Sequence, residues 1–305
     1  MNCRGLSLMS GGLDSQLAVR VLQSAGAEVE AVCFSTPFFD CTGARRAAEA
    51  LGVKLHLVDF TDDELALIRH PPHGFGGAMN PCIDCHAQMI RRAGELMSRL
   101  GFDFVATGEV LGQRPMSQNR QSLGIVERSS GLQGRLVRPL SAKLLEPTLP
   151  ETDGSLDRAR LLDISGRSRD RQIALAAEFG IVDYPSPAGG CKLTEEAFGR
   201  KLKDLMEHEG LARRDLVELL TVGRRFRLPG GSSVILGRDG GENALLARGE
   251  FAALLKPTVA MPGPTAAIPV VASPSDLEFA QALVNAYVRG TSAADRERFR
   301  PYQIL

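Results

Sequence analysis

Two groups of residues in this sequence could do chemistry. The first is Ser10-Gly11-Gly12-Leu13-Asp14-Ser15, which follows a short apolar run and precedes a helical pattern. A strand, a glycine-rich turn and a helix in that order can cradle phosphate. The glycines let the backbone approach, its N–H groups point at the anion, and the start of the helix adds a favourable dipole. Ser10 and Ser15 offer hydroxyl donors. Asp14 is the odd member, because a carboxylate beside phosphates calls for a cation, which points to Mg²⁺. An ordinary strand-to-helix turn also carries glycines; the complete six-residue string in this setting favours phosphate. It is neither a Walker A loop nor a dinucleotide GxGxxG.

The second group is three cysteines. Cys82 and Cys85 follow an Asn80-Pro81 turn and open a helix. The dipole there lowers thiol pKa and favours thiolate. Cys191 comes much later, at the end of the Pro/Gly-rich run Pro185-Ser186-Pro187-Ala188-Gly189-Gly190. Three readings fit. One is a 4Fe-4S cluster held by Cys82, Cys85 and Cys191 with one iron open, since full ligation takes four cysteines. The second is zinc with His86 as fourth ligand, awkward because His86 directly follows Cys85. The third is a pair of catalytic thiols that carry a persulfide and form a transient disulfide. Cys3, Cys33 and Cys41 lack such settings, and Cys33 reads as an inert thiol in a core strand.

Strand-like and helix-like runs alternate through the first half of the chain. Strands are predicted at Leu6–Ser10, Val29–Phe34, Lys54–Phe60, Phe104–Gly108 and Leu136–Leu140. Helices are predicted at Gln16–Ala25, Cys41–Leu51, Asp63–Ile68 and Ile83–Leu100. This alternation implies an α/β fold, a doubly wound, mostly parallel sheet with helices on both faces. Such sheets bind ligands at the carboxyl ends of their strands. After the first strand comes the 10–15 loop, and after the second comes Ser35-Thr36-Pro37-Phe38-Phe39. After the fourth comes Thr107 to Gln118, TGEVLGQRPMSQ, in which Gly108 would admit a nucleotide closely and Glu109, Gln113 and Ser117 would face the cleft. After the fifth, Arg138 and Lys143 could neutralise phosphate or simply be solvated.

SGGLDS resembles the signature of the ATP pyrophosphatase, or PP-loop, family of adenine nucleotide alpha-hydrolase-like folds. The resemblance implies splitting of ATP into AMP and pyrophosphate, with AMP attached to a substrate oxygen. It implies ATP contacts at Ser10, Gly11, Gly12, Leu13, Asp14 and Ser15, with Ser35, Gly108, Glu109 and Lys143 beside them. TGE-x-LGQ is similar to the same segment of tRNA 4-thiouridine synthases and, more loosely, to the TGH segment of 2-thiouridylases. A CxxC plus one distant cysteine on such a domain resembles the cluster-dependent tRNA thiolases. That implies ATP, Mg²⁺ and a 4Fe-4S cluster, with Asp14, Cys82, Cys85 and Cys191 catalytic, a tRNA substrate and a sulfide or persulfide donor.

The composition bounds these expectations. The chain has 305 residues, six of them cysteine, and 44% are hydrophobic, enough for a substantial core. Lysine and arginine number 36, as do aspartate and glutamate, so no bulk charge draws the chain to nucleic acid and RNA contact would need local patches. No stretch reads as a membrane span or secretion signal, so a cytoplasmic enzyme without a disulfide framework is expected. The character changes near Thr194, giving a 1–194 thiolation domain and a smaller α+β domain over 195–305. In the latter, Glu195–Leu220 reads as helical and a hairpin carries Arg224, Arg225, Phe226, Arg227 and Arg238. Arginines beside an aromatic suit phosphate contact and base stacking. GRRFRLPGG followed by GRDGGEN resembles an NFACT-type RNA-binding module. A sulfur transferase acting on a small molecule, a cluster-free persulfide thiolase and a non-enzymatic RNA-binding or cluster-carrying protein are the competing readings.

Overall fold

The structure, a computed structural model, describes residues 3–186 and 190–305. The chain divides into two compact units, Met1–Lys192 and Leu193–Leu305.

The first unit is a five-stranded parallel sheet in the order β3-β2-β1-β4-β5. Its strands are β1 (Arg4–Leu8), β2 (Glu28–Ser35), β3 (Leu55–Asp59), β4 (Phe104–Ala106) and β5 (Leu136–Val137). Its helices are α1 (Leu13–Ser24), α2 (Thr42–Leu51), α3 (Thr61–Arg69), α4 (Cys82–Leu100), α5 (Arg120–Ser130), α6 (Leu149–Thr152) and α7 (Asp170–Glu178). One apolar core joins Leu13, Leu17, Ala44, Ala48, Ala176 and Ile181 from the α1, α2 and α7 side. The other joins Leu6, Val32, Phe60, Cys85, Ile90 and Val126 from the α3, α4 and α5 side. Strands buried on both faces read as continuous apolar runs, which is how the sequence marks β1 and β2.

The sheet order places the site. The chain moves outward from β1 through β2 to β3, then returns to add β4 on the other flank of β1. The loops after β1 and β4 therefore leave the sheet in opposite senses and open a crevice between them, where doubly wound sheets bind ligands. Four of the five strands end earlier than predicted, β1 and β4 by two residues, β3 by one and β5 by three. β5 stops at Val137, and Pro139 just beyond has no N–H to extend a ladder. β4 stops at Ala106, ahead of the turn that carries Gly108. The predicted helix over Glu195–Leu220 is two helices, because Gly210 adopts a positive φ of 74° between them.

The second unit has an antiparallel sheet in the order β10-β6-β7-β9-β8. Its helices are α8 (Glu196–His208), α9 (Arg214–Glu218), α10 (Gly240–Arg248), α11 (Pro274–Ala286) and α12 (Ala293–Glu297). The strands are β6 (Arg224–Arg227), β7 (Ser233–Leu236), β8 (Ala253–Leu255), β9 (Ala266–Ile268) and β10 (Gln303–Ile304). The β6–β7 hairpin forms as predicted, but both faces of β6 are covered, so its two middle residues are buried rather than presented at a surface. Phe226 is 0% exposed, in a core with Leu283, Val284 and Phe299, so it offers no face for a base. Arg225 is 1% exposed; its Nη2 donates to the Leu216 carbonyl, while Nε and Nη1 are buried without partners. Burial pulls its pKa down to about 10. Burial also acts on Arg227, but Glu209 and Asp204 outweigh it and raise its pKa. Arg227 grips both carboxylates, at 2.6 Å and 2.5 Å. Arg238 is paired with Glu242, and Arg224 lies 5.4 Å from the Tyr287 ring centroid. The expected stacking surface is thus largely an internal ion network. Arg225→Met, which keeps volume and removes a poorly satisfied buried charge, should leave thermal stability unchanged or raised. A loss above about 1 kcal/mol by denaturant unfolding would show that the Leu216 contact outweighs the cost of burial.

Candidate active site

The loop after β1 is shaped by backbone contacts. Gly11 has φ +83°, and a Cβ there would lie 2.3 Å from the Gly43 carbonyl carbon at the start of α2. Both facts demand glycine. Gly12 caps α1 and donates its N–H to Ser10 Oγ at 3.3 Å. Ser15 Oγ donates to the Gly12 carbonyl at 2.8 Å and lies 3.4 Å from Ser10 Oγ. Leu13 points into the core, so only its backbone belongs to the loop. Gln16, not singled out in the sequence, clamps the loop from below. Its Nε2 donates to the carbonyls of Gly11 and Asp183, each at 2.9 Å.

Gly108 is demanded by close packing. A Cβ there would stand 2.6 Å from the Asp14 carbonyl carbon and 2.7 Å from the Ser15 nitrogen. Its smallness lets the β4 loop close on the start of α1; no approach by a nucleotide is needed to explain it. The closure brings Gln113 Nε2 to Asp14 Oδ2 at 2.8 Å. Asp14 Oδ1 is buried and has no hydrogen-bond partner. An orphaned carboxylate oxygen is the donor that a hard cation such as Mg²⁺ takes, so Asp14 fits that ion. Ser35 ends β2, half-buried, and the next turn is fixed by Thr36 N–H to the Phe39 carbonyl at 2.9 Å. Phe38 is core. Lys143 Nζ donates to the Ala159 carbonyl at 2.7 Å, so its ammonium is engaged away from the loop.

Glu109 and Arg138 are also reassigned. Neither is turned out to meet phosphate; they form an internal pair. Arg138 Nε meets Glu109 Oε2 at 3.0 Å, and its Nη1 meets Glu127 Oε2 at 2.9 Å. Thr107 Oγ1 donates to Glu109 at 3.1 Å, and His86 Nδ1 lies 3.2 Å from its other oxygen. Burial would raise the Glu109 carboxyl, but the Arg138 charge and His86 outweigh it and hold it at about 2. The ionised Glu109 thus orients a ring that directly follows Cys85.

The cysteines divide in two. Cys33 and Cys41 are joined as a disulfide across the mouth of β2, with Cα atoms 6.0 Å apart. This corrects the expectation of an inert thiol at Cys33. Spacing gave no hint of the pairing, because β2 and the turn after it bring the two together only in the fold. Cys3, Cys82, Cys85 and Cys191 lie outside that bond. Cys82 opens α4, and Asn80 Nδ2 donates to its sulfur at 3.1 Å. Asp84, between the two cysteines, pins the preceding loop by accepting from the His73 N–H at 3.0 Å and meeting its Nδ1 at 2.6 Å.

Cys85 is 7% exposed. The helix dipole was expected to lower its pKa. Instead burial pushes it up, and the nearby Glu64, Cys191 and Cys82 charges add to the rise. Cys82 and Cys191 therefore each lie near enough to act on Cys85. Glu64, 1% exposed on α3, lies against the Cys85 thiol, and burial lifts its carboxyl to about 7. Among the described residues, no three His, Cys, Asp or Glu side chains are arranged to hold a metal ion. The donor set as described therefore does not close on a cluster or zinc. Residues 187–189 of the PSPAGGC segment lie outside the described residues, while Lys192 N–H holds the Phe38 carbonyl at 3.0 Å just after Cys191.

Residues 1–143 match the family model described as thiamine biosynthesis protein (ThiI). The chain is 32% identical over 148 residues to a "Probable tRNA sulfurtransferase" of Caldanaerobacter subterraneus subsp. tengcongensis, covering 46% of this chain and 37% of that protein. It is 27% identical over 218 residues to the "tRNA-specific 2-thiouridylase MnmA" of Marinobacter nauticus, covering 65% of this chain and 52% of that one. A solved structure described as a 4-thiouridine synthetase–RNA complex with bound ATP aligns at 18% identity with a TM-score of 0.42, covering 71% of this chain and 52% of the other. The chain spans about half or less of these curated relatives' lengths. The ThiI match ends at residue 143 and does not reach the second unit.

Several residues that shape the site escaped the sequence reading. Gln16, Glu64, Asp84 and Gln172 are polar residues inside helices, where the default reading is a solvated face. Glu64 and Asp84 did carry a signal. Each sits in the first turn of a helix beside apolar neighbours, in α3 and α4. A buried first-turn carboxylate beside a CxxC could have been flagged from that pattern.

Proposed function

We propose that this protein is an ATP-dependent tRNA sulfurtransferase that converts a uridine to a thiouridine, with 4-thiouridine as the product. The observation that carries this reading is the juxtaposition of two centres at one sheet end. One is a tightly turned loop with an orphaned Asp14 oxygen; the other is the start of α4 with Cys82 and Cys85, joined to the loop by the segment after β4, which sets Gly108 against Asp14 and Glu109 against His86. The similarity to a tRNA sulfurtransferase and to a tRNA-specific 2-thiouridylase supports tRNA as substrate. The TGE-x-LGQ segment supports the 4-position.

The 10–15 loop receives the phosphates on its N–H groups and the Ser10 and Ser15 hydroxyls. Asp14 would hold Mg²⁺, which neutralises phosphate charge. The uridine carbonyl oxygen attacks the α-phosphorus; the new O–P bond forms as the bond to pyrophosphate breaks. Adenylation turns a poor leaving group into AMP. A sulfur carried by the cysteines then attacks the activated carbon and the C–O bond breaks. On the persulfide route, the terminal sulfur is transferred and a second cysteine closes a disulfide with the first. A dithiol must then reduce that disulfide before the next turnover. In the second unit the half-buried Arg224 remains a candidate for RNA contact; Arg238 is paired with Glu242, Arg227 with Asp204 and Glu209, and Arg225 and Phe226 are buried.

Purified protein should release pyrophosphate from ATP when tRNA is added, and Asp14→Ala should slow that release about 1,000-fold, or ~4 kcal/mol. Mass spectrometry of nucleosides from the treated tRNA should show thiouridine, and its isomer identifies the position. Pyrophosphate release without any thionucleoside would replace this reading with small-molecule or purely adenylating chemistry. Iron analysis of anaerobically purified protein separates the sulfur routes: about four irons per chain marks a cluster, and a cysteine persulfide mass without iron marks the thiol route.

A further inference from the structure

We propose that Gln172 is a positioning residue for Asp14, acting through Gln113. This rests on the reading that Asp14 holds the cation accompanying ATP. Gln172 is 0% exposed in the first turn of α7. That helix is seated in the same core as α1, through Ala176 against Leu13 and Leu17. Gln172 Nε2 donates to Gln113 Oε1 at 3.3 Å, and Gln113 Nε2 donates to Asp14 Oδ2 at 2.8 Å.

The direction of this relay is forced by charge. An ionised carboxylate only accepts, so Gln113 must turn its amide nitrogen toward Asp14. The Gln113 oxygen then faces the other way and needs a donor. Gln172 supplies it with its own nitrogen. Reversing either amide would set two oxygens against each other. The backbone supports the same alignment. Gly112 N–H donates to the Gln118 carbonyl at 2.7 Å, and Gly166 N–H donates to the Leu111 carbonyl at 2.8 Å. The first bond closes the loop carrying Gln113, and the second ties it to the segment that leads into α7.

Within the relay, two buried acceptors remain without donors, Asp14 Oδ1 and Gln172 Oε1. Buried polar atoms are ordinarily paired. A cation accounts for the first. The second is what remains once the Gln172 nitrogen is committed to Gln113. The relay therefore holds one oxygen of Asp14 in place and leaves the other for a ligand. Its remote end is a residue well over a hundred positions away in the chain.

The test uses binding of α,β-methylene ATP, which resists cleavage at the bond this reaction breaks, with and without Mg²⁺. In wild type, Mg²⁺ should tighten binding. Gln172→Glu keeps size but replaces the donor with an acceptor and turns Gln113 around. Gln172→Met keeps volume and removes the donor without adding charge. Both should lose about tenfold of the Mg²⁺-dependent affinity and keep the Mg²⁺-free affinity. With Gln113→Ala already present, neither should have a further effect. Far-UV circular dichroism and melting establish that the compared variants are folded; Gln172→Met guards against a Glu variant that is not. A full Mg²⁺ effect in Gln172→Met, or an undiminished loss in the Gln113→Ala background, overturns the proposal. So does wild-type binding indifferent to Mg²⁺. Wild type that fails to bind the analogue at all instead refutes the ATP reading of the loop, and the proposal falls with it.

Discussion

Cys191→Ala should abolish sulfur incorporation into tRNA, by at least about 1,000-fold or ~4 kcal/mol, while pyrophosphate release from ATP continues. The two halves of this result come from different parts of the site. Adenylation depends on the 10–15 loop, whose shape is set by Gly11 against Gly43, Gly108 against Asp14, and Gln16 beneath. None of those contacts involves Cys191. Sulfur transfer needs a sulfur nucleophile and, on the thiol route, a second cysteine to release it. Cys191 reaches the electrostatic field of Cys85 from a segment pinned by Lys192 to Phe38. Because Cys85 is buried with a raised pKa, it is poorly suited to be the thiolate that first receives sulfur. Cys82, at the open end of α4 with an Asn80 donor on its sulfur, is better placed for that step. Cys191 would then resolve the persulfide. Adenylated RNA should accumulate in the variant and be detectable by mass spectrometry. Thiolation at the wild-type rate would remove Cys191 from the site, and loss of pyrophosphate release as well would mean that its segment shapes the ATP loop.

How much of this was legible in the sequence depends on the range of the interaction. The parallel sheet, the loop after β1 and the CxxC at a helix start could be read, because each is written in contiguous residues of the right period. The hairpin in the second unit could be read too, but the facing of its residues could not. Arg225 and Arg227 lie on one face of β6, and only the fold shows that this face meets Asp204 and Glu209 of the α8 region. The run of arginines around Phe226 therefore looked like an RNA surface and is mostly an internal ion network. Glu109 and Arg138 were misread for the same reason. Both follow strands at the ligand-binding end, where a charged residue is expected to face the ligand. Parallel β4 and β5 are adjacent, however, and their following residues meet each other first. The Cys33–Cys41 bond and the Gln172 relay are likewise properties of packing, invisible to periodicity.

The Glu109–Arg138 pair yields the largest expected loss of stability. Arg138→Met should cost about 3–5 kcal/mol at neutral pH, the usual penalty for leaving one member of a buried ion pair alone. The sign of its pH dependence follows from Glu109. In wild type its folded carboxyl sits at about 2, below the 4.5 of an unperturbed glutamate. Its contribution is therefore present above pH 4.5 and is lost as pH falls toward 2, about 3 kcal/mol in all. Without Arg138, burial dominates and the carboxyl rises above its unfolded value. The variant then loses stability as pH rises. The gap between the two proteins should be widest at about pH 7.5 and narrower at about pH 4, by denaturant unfolding at each. Glu109→Gln added to Arg138→Met should recover much of the loss, because the uncompensated charge is gone. A gap below about 1 kcal/mol at neutral pH, or one that widens on acidification, would contradict the arrangement. Activity offers a separate readout. Glu109 also holds His86 Nδ1, and His86 directly follows Cys85. The double variant should therefore regain its fold yet still transfer sulfur more slowly, because stability needs the charge removed whereas the ring needs the carboxylate.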